Sequence, residues 1–315
     1  MSRTFETDRT GRVLTVRFDH PPLNFMNRVM VAELEDLLDS LAEDRSLGSV
    51  VITGKPEDVF ITHYDVEEIL AGSEGVGRGI SARVARASLQ TVAGVARLPG
   101  GRAALERMPV SGLLELQRIH DVFLRMQQMD KVFIAAINGP ALGGGCEIAL
   151  ACDLRYMSEG AKWIGLPEMT LGICPGAGGT QRLSRILGTS RALELILEAR
   201  PLSPIEARDL GLVHRVLAAS ELLPEAQTAA ERLARRAPLS VAAAKRAVLD
   251  GATKPLPAGL AEEQKWFMAA TSQPAARRAM RAYVERVRQA GPPFADDEEF
   301  AEWRNGTAVD LVSGA

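Results

Sequence analysis

One block constrains this chain more than any other: Asn138-Gly-Pro-Ala-Leu-Gly-Gly-Gly-Cys-Glu147. The apolar run Val132 to Ile137 (VFIAAI) enters it and reads as a buried strand, and the apolar stretch after it is helix-like. Between them stand glycines 143, 144 and 145. Glycine lets a chain bring bare amide N–H groups against a neighbour, with no Cβ in the way. If a helix begins there, its first N–H groups lack internal partners and carry partial positive charge. Such a corner suits a developing oxyanion. A tight strand-to-helix turn, with glycine needed only for packing, is the alternative that the glycines alone leave open.

Strand and helix signals alternate around this block. Leu14, Val16 and Phe18 fall on one face of a strand over Val13 to Phe18. After Pro21-Pro22 the period changes, and Met30, Leu34, Leu37, Leu38 and Leu41 predict an amphipathic helix over Arg28 to Leu41. Ser49 to Thr53, Asp153 to Met157 and Leu212 to Val216 read as further strands. The alternation predicts an α/β body. From Pro204 onward the reading is helical: Ser203-Pro204 caps a short helix ended by Gly211, and helices follow over Leu222 to Arg236, Ser240 to Leu249 and Ala275 to Gln289. Between Asp65 and Lys131 the glycine-rich AGSEGVGRG precedes helices over Ile80 to Arg97 and Leu113 to Met129, broken at Pro99-Gly100-Gly101. Connections of this length carry their own structure or cover a site. The acidic tail after Gly291-Pro292-Pro293 is read as flexible or packed on a neighbouring subunit.

Composition narrows the function classes. Apolar residues make up 46% and charged residues 24%, the balance of a globular domain, and the net charge of -3 points to neither nucleic acid nor an anionic membrane. A basic patch at Arg277, Arg278, Arg281 and Arg286 suits a small anion locally. The opening MSRTFETDRTGR lacks the apolar core of a signal peptide, and no stretch is long enough to span a bilayer, so a cytoplasmic location is expected. Cys146, Cys152 and Cys174 show no paired spacing and read as small buried hydrophobes; no metal site is expected.

Two further segments carry chemistry: Phe60-Ile-Thr-His-Tyr-Asp-Val-Glu-Glu68, and Gly165-Leu-Pro-Glu168 followed by Leu171-Gly-Ile-Cys-Pro-Gly-Ala-Gly-Gly-Thr-Gln-Arg182. Each alone is weak. Together with PPLNFMN, PLSPIEARDLGLVHRV and AMRAYVER, and in this order, they resemble the crotonase, or enoyl-CoA hydratase/isomerase, superfamily from about Val13 to Arg286.

The resemblance implies a crotonase-like ββα spiral core over 1–203; the unusually long helical insertion at about 71–130 departs from the family's usual connection and is read as reshaping the acyl-binding wall or a subunit contact. The resemblance implies a C-terminal helical trimerisation region over 204–290, followed by an acidic tail over 291–315. It implies an oxyanion hole from the backbone N–H groups of Tyr64 and Gly144, gripping a thioester carbonyl. Glu147 would activate water and Glu168 would supply a proton, in hydration of a 2-enoyl-CoA. Coenzyme A, part of the substrate rather than a separate cofactor, would contact Leu23, Phe25, Ile61, Thr62, His63 and Tyr64, with Phe267 and Arg286 near the adenine. The assembly would be a homotrimer or a dimer of trimers. Other enolate chemistry (isomerisation, thioester hydrolysis, decarboxylation) is the alternative, as is a non-catalytic acyl-CoA-binding relative. His63 departs from the small residue usual there and is read as lying on the outer side of its strand without a role, or else as narrowing the acyl pocket.

Overall fold

A computed structural model describes residues 3–76, 79–108 and 111–312. Strands β1 (Phe5–Thr10), β2 (Val13–Phe18), β3 (Ser49–Gly54), β4 (Val132–Ile137), β6 (Leu154–Ser158) and β8 (Arg215–Leu217) form one sheet in the order β1-β2-β3-β4-β6-β8. Only the β1–β2 hairpin is antiparallel; the other pairs are parallel, with Val16 opposite Ile52 and Ile52 opposite Ala135. Two short strands, β5 (Ala141–Leu142) and β7 (Ile164–Gly165), pair separately beside the glycine corner.

The central strands are buried along their whole length, and that is why VVIT and VFIAAI are continuous apolar runs. Alternation divides β4 between two cores. Phe133, Ala135 and Ile137 face the larger one, with Met30, Leu34, Leu38 and Leu41 of the helix Arg28–Glu43. Val132, Ile134 and Ala136 face the smaller one, closed by Leu222, Ala226, Ala229 and Ala230 of the helix Ala219–Leu233. Asn27 starts the first helix by accepting a hydrogen bond from Met30 N at 2.9 Å. The capping box of Ser203 and Glu206 starts the helix Pro204–Asp209 as its sequence predicts.

Three expectations change. Residue 203 is not a packing boundary, because β8 extends the main sheet and Ala219–Leu233 covers its second face. Part of the segment 71–130 belongs to the main body: the helix Ser111–Gln128 places Ile119, Val122, Phe123 and Met126 in the larger core. What stands apart is Ala82–Ala96 and Gly101–Leu105, which pack Val92 and Leu105 on Leu114 in a small core of their own. The tail also departs from expectation. Its helix Asp297–Asn305 folds back on Pro274–Ala290 of the same chain, through a Tyr283–Trp303 edge-to-face contact and an Arg286–Glu299 ion pair. Among the described residues, no helix is long and apolar enough to cross a membrane.

Candidate active site

Three separate segments are stitched together at the glycine corner. Met26 N donates to His63 O at 2.9 Å and Asp65 N to Met26 O at 2.7 Å, while Thr62 Oγ1 donates to Leu23 O at 2.7 Å. Leu142 N donates to Thr62 O at 2.8 Å, and Gly143 N to Gly165 O at 2.9 Å. Gly143 has φ +48°, and a Cβ there would meet Glu168 Oε1 at 3.0 Å. A Cβ on Gly145 would stand 1.8 Å from Ile61 O, so any side chain at that position drives the two backbones apart. Gly144 opens the helix Gly144–Ala151, and a Cβ on it would lie 3.3 Å from Tyr64 N. Neither the Gly144 N–H nor the Tyr64 N–H donates to any partner among the described residues. Two unpaired amide donors from distant parts of the chain therefore border one small space.

Two carboxyls belong to this corner, and their surroundings differ: Glu168 Oε1 comes within 3.0 Å of where a Cβ on Gly143 would stand, and Glu147 is on the helix that Gly144 opens. Glu147, on the first turn of the Gly144 helix, is 3% exposed, and its Oε1 accepts from Ala177 N and Gly179 N at 2.8 Å each. Burial pushes the Glu147 carboxyl up, and the two amides and the Arg182 guanidinium oppose that rise. Glu168 starts a single 3-10 turn, Glu168–Leu171, and its Oε2 is buried without a hydrogen-bond partner. Burial pushes its carboxyl up to about 7, with its own backbone amide opposing and the Glu147 charge adding to the rise. Glu147 thus has two amide donors and a guanidinium that favour its charged form against burial, whereas Glu168 lacks such donors at Oε2 and is raised to about 7. Such a pair divides proton acceptance from proton donation.

The match to known proteins fits this arrangement. The family model described as enoyl-CoA hydratase/isomerase matches residues 107–295. The short-chain-enoyl-CoA hydratase of Clostridium acetobutylicum is 32% identical over 280 residues, covering 89% of this chain and 94% of its own. The chain belongs to the enoyl-CoA hydratase/isomerase family. Another relative, the 2,3-dehydroadipyl-CoA hydratase of Escherichia coli, is 35% identical over 260 residues, 82% of this chain and 87% of that one. Among solved structures, the enoyl-CoA hydratase from Bacillus anthracis superposes with a TM-score of 0.71 at 29% identity, over 92% of this chain and 98% of that one. The crotonase-type fold expected from the sequence is the fold of this family member.

Not every residue expected in the family's site is gathered there. Leu23, Phe25, Ile61, Thr62, His63 and Tyr64 lie in the two stitched loops beside Gly144. His63 does not turn outward into solvent. Its ring stacks on Phe25 at 4.3 Å, Nδ1 lies 2.7 Å from Tyr64 O, and its Cβ is 3.8 Å from where a Cβ on Gly143 would stand. The Tyr64 hydroxyl donates to Glu68 Oε2 at 2.9 Å; burial, with Glu68 beside it, pushes the phenol up, so it stays protonated. Phe267, 63% exposed, lies on the helix Leu256–Thr271, which packs on Pro238–Gly251, and Arg286 is committed to Glu299 and Gly291 O. No contact among the described residues joins either to the stitched loops. Cys174 is exposed rather than buried, unlike Cys146 and Cys152.

The groups that hold Glu147 escaped the sequence reading. They are main-chain amides at Ala177 and Gly179, in a loop whose Ala177 carbonyl accepts from Arg182 Nη1 at 3.0 Å. A signal existed in the PGAGGTQR run: Gly178 has φ +99°, and a Cβ on Gly179 would stand 2.9 Å from Glu147 Oε1. Among the described residues, no group of His, Cys, Asp or Glu is arranged to hold a metal ion.

Proposed function

We propose that this enzyme hydrates 2-enoyl-CoA thioesters to 3-hydroxyacyl-CoA. The observation that carries this reading is the unequal pair of carboxyls, one accepting from two amides and one buried without a donor at Oε2. Hydration needs a base and an acid at once. Glu147 takes a proton from water as the water oxygen bonds to the β-carbon, and the alkene electrons shift onto the thioester oxygen. The N–H groups of Tyr64 and Gly144 receive that charge; losing one such donor costs about 3 kcal/mol in comparable sites. The enolate then collapses, and its α-carbon takes the proton of Glu168. One water has been added, and a proton returns from Glu147 to Glu168 before the next turnover. The chain's own residues supply every step, and coenzyme A enters as part of the substrate. In this reading Leu23, Phe25 and residues 61–64 border the thioester end, while Phe267 and Arg286 make no contact with those loops among the described residues of one chain.

Crotonyl-CoA, followed by the loss of absorbance of its conjugated thioester, tests this. Glu147→Gln and Glu168→Gln are each expected to lower kcat by about 100-fold or more, the usual scale of general acid–base catalysis. Affinity for coenzyme A should stay nearly unchanged. Wild-type turnover in either variant removes that carboxyl from the reaction. If 3-enoyl-CoA is isomerised while crotonyl-CoA is left unhydrated, the site runs the isomerase reaction instead.

The proposed assembly is a homotrimer or a dimer of trimers. It is supported by the large apolar side chains left exposed on the helices Leu256–Thr271 and Pro274–Ala290, among them Phe267, Met268, Met280 and Val284.

A further inference from the structure

The helix Ser111–Gln128 grips the loop that holds Glu147 with a single face. Residues 116, 120 and 127 fall within about 40° of one another around a helix of 3.6 residues per turn. Leu116 Cδ1 lies 3.8 Å from where a Cβ on Gly176 would stand. Gln127 Oε1 accepts from Arg182 Nε at 2.9 Å, and Arg182 in turn donates to Ala177 O. Between these two points, His120 Nε2 lies 2.7 Å from Gly176 O. A carbonyl oxygen only accepts, so Nε2 carries the proton in this contact.

The Gly176 carbonyl and the Ala177 N–H are the two ends of one peptide group. His120 therefore donates to the oxygen end of the same plane whose N–H end donates to Glu147 Oε1 at 2.8 Å. The plane is rigid, so fixing its oxygen fixes the direction of its N–H. A bond accepted at the oxygen also polarises the amide and strengthens its N–H as a donor. We infer that His120 is a positioning residue for the Glu147 carboxylate, acting through the Gly176–Ala177 peptide. The inference rests on the role proposed for Glu147 as the base in hydration. His120 is exposed on its helix, so replacing it removes the contact without opening a cavity.

Two variants separate donation from mere occupancy: His120→Leu has no donor, and His120→Gln keeps a terminal N–H. In His120→Leu, kcat on crotonyl-CoA is expected to fall about five- to tenfold, the scale of one neutral hydrogen bond expressed as a rate. Its KM should stay within about twofold, because substrate binding is untouched. His120→Gln should retain most of the wild-type kcat. Unaltered kcat in His120→Leu overturns the inference, and so does a loss in His120→Gln as deep as in His120→Leu. A wild-type enzyme that does not hydrate crotonyl-CoA counts against the proposed function instead. The Glu147 carboxyl, followed across pH by carbon-13 NMR, then still decides: its midpoint should rise in His120→Leu and hold in His120→Gln. Equal midpoints in all three proteins overturn the inference. The charged groups facing Glu147, Arg182 on its helix and Glu168 on its turn, are the same in all three.

Discussion

At the scale of single residues, the two carboxyls differ in the hydrogen bonds they accept. Burial raises both carboxyls, but Glu147 Oε1 has two amide donors that oppose the rise and Glu168 Oε2 has none. The sign for activity follows. Burial raises Glu168 to about 7, its acid form prevails below that value, and the α-carbon needs that proton. The kcat/KM for crotonyl-CoA is therefore expected to fall as pH rises through about 7, since kcat/KM reports ionisations of the free enzyme. A profile that stays level across this range removes Glu168 as the acid. Both glutamates were legible in the sequence because each sits in a distinctive block. The groups that set their unlike properties were not. Ala177 and Gly179 act through main-chain N–H groups that any residue but proline carries, and His120 sits on a helix face like any surface histidine.

At the scale of elements, the second face of the sheet is closed by small side chains. Ala226, Ala229 and Ala230 bring the helix Ala219–Leu233 close to Val51, Ile134 and Ala136, and a Cβ on Gly48 would stand 2.7 Å from Ala234 O. A longer side chain has no room there. Ala230→Leu is expected to cost about 1–3 kcal/mol, the usual penalty for overpacking. In urea the midpoint should drop with the slope unchanged; an unmoved midpoint means the face is looser than described. Elements with a buried face were readable for the same reason that they pack. Val13–Phe18 and Val132–Ile137 were placed to the residue, and Arg28–Glu43 to within two, because their burial leaves a period in the sequence. Where burial is missing the period is too. In β1 only Phe5 is buried, and in Leu256–Thr271 nothing is; the sequence does not mark β1 as a strand, and it reads the region of Leu256–Thr271 as helical without marking where that helix begins or ends.

On the scale of the whole molecule, the helix Leu256–Thr271 packs on Pro238–Gly251 yet buries no residue fully, and that needs an explanation. Leu256–Thr271 carries Leu256, Leu260, Phe267 and Met268 exposed, and the adjoining Pro274–Ala290 buries only Ala275 while exposing Met280 and Val284. Most helical stability comes from packing an apolar face. Several large apolar side chains exposed on neighbouring helices fit the proposed self-association. The pattern in the sequence could not distinguish the two fates, since an apolar stripe that meets another copy has the same spacing as one that meets the chain's own core. Self-association is therefore expected to stabilise this region, and light scattering at micromolar concentration should give the mass of three or six chains. Met268→Glu combined with Met280→Glu places two charges on the exposed stripe, far from Glu147 and Glu168 in sequence. The pair should shift the protein to smaller species while leaving the sheet folded by circular dichroism. A wild-type protein that stays monomeric, with these helices still formed, would show that they stand without a partner.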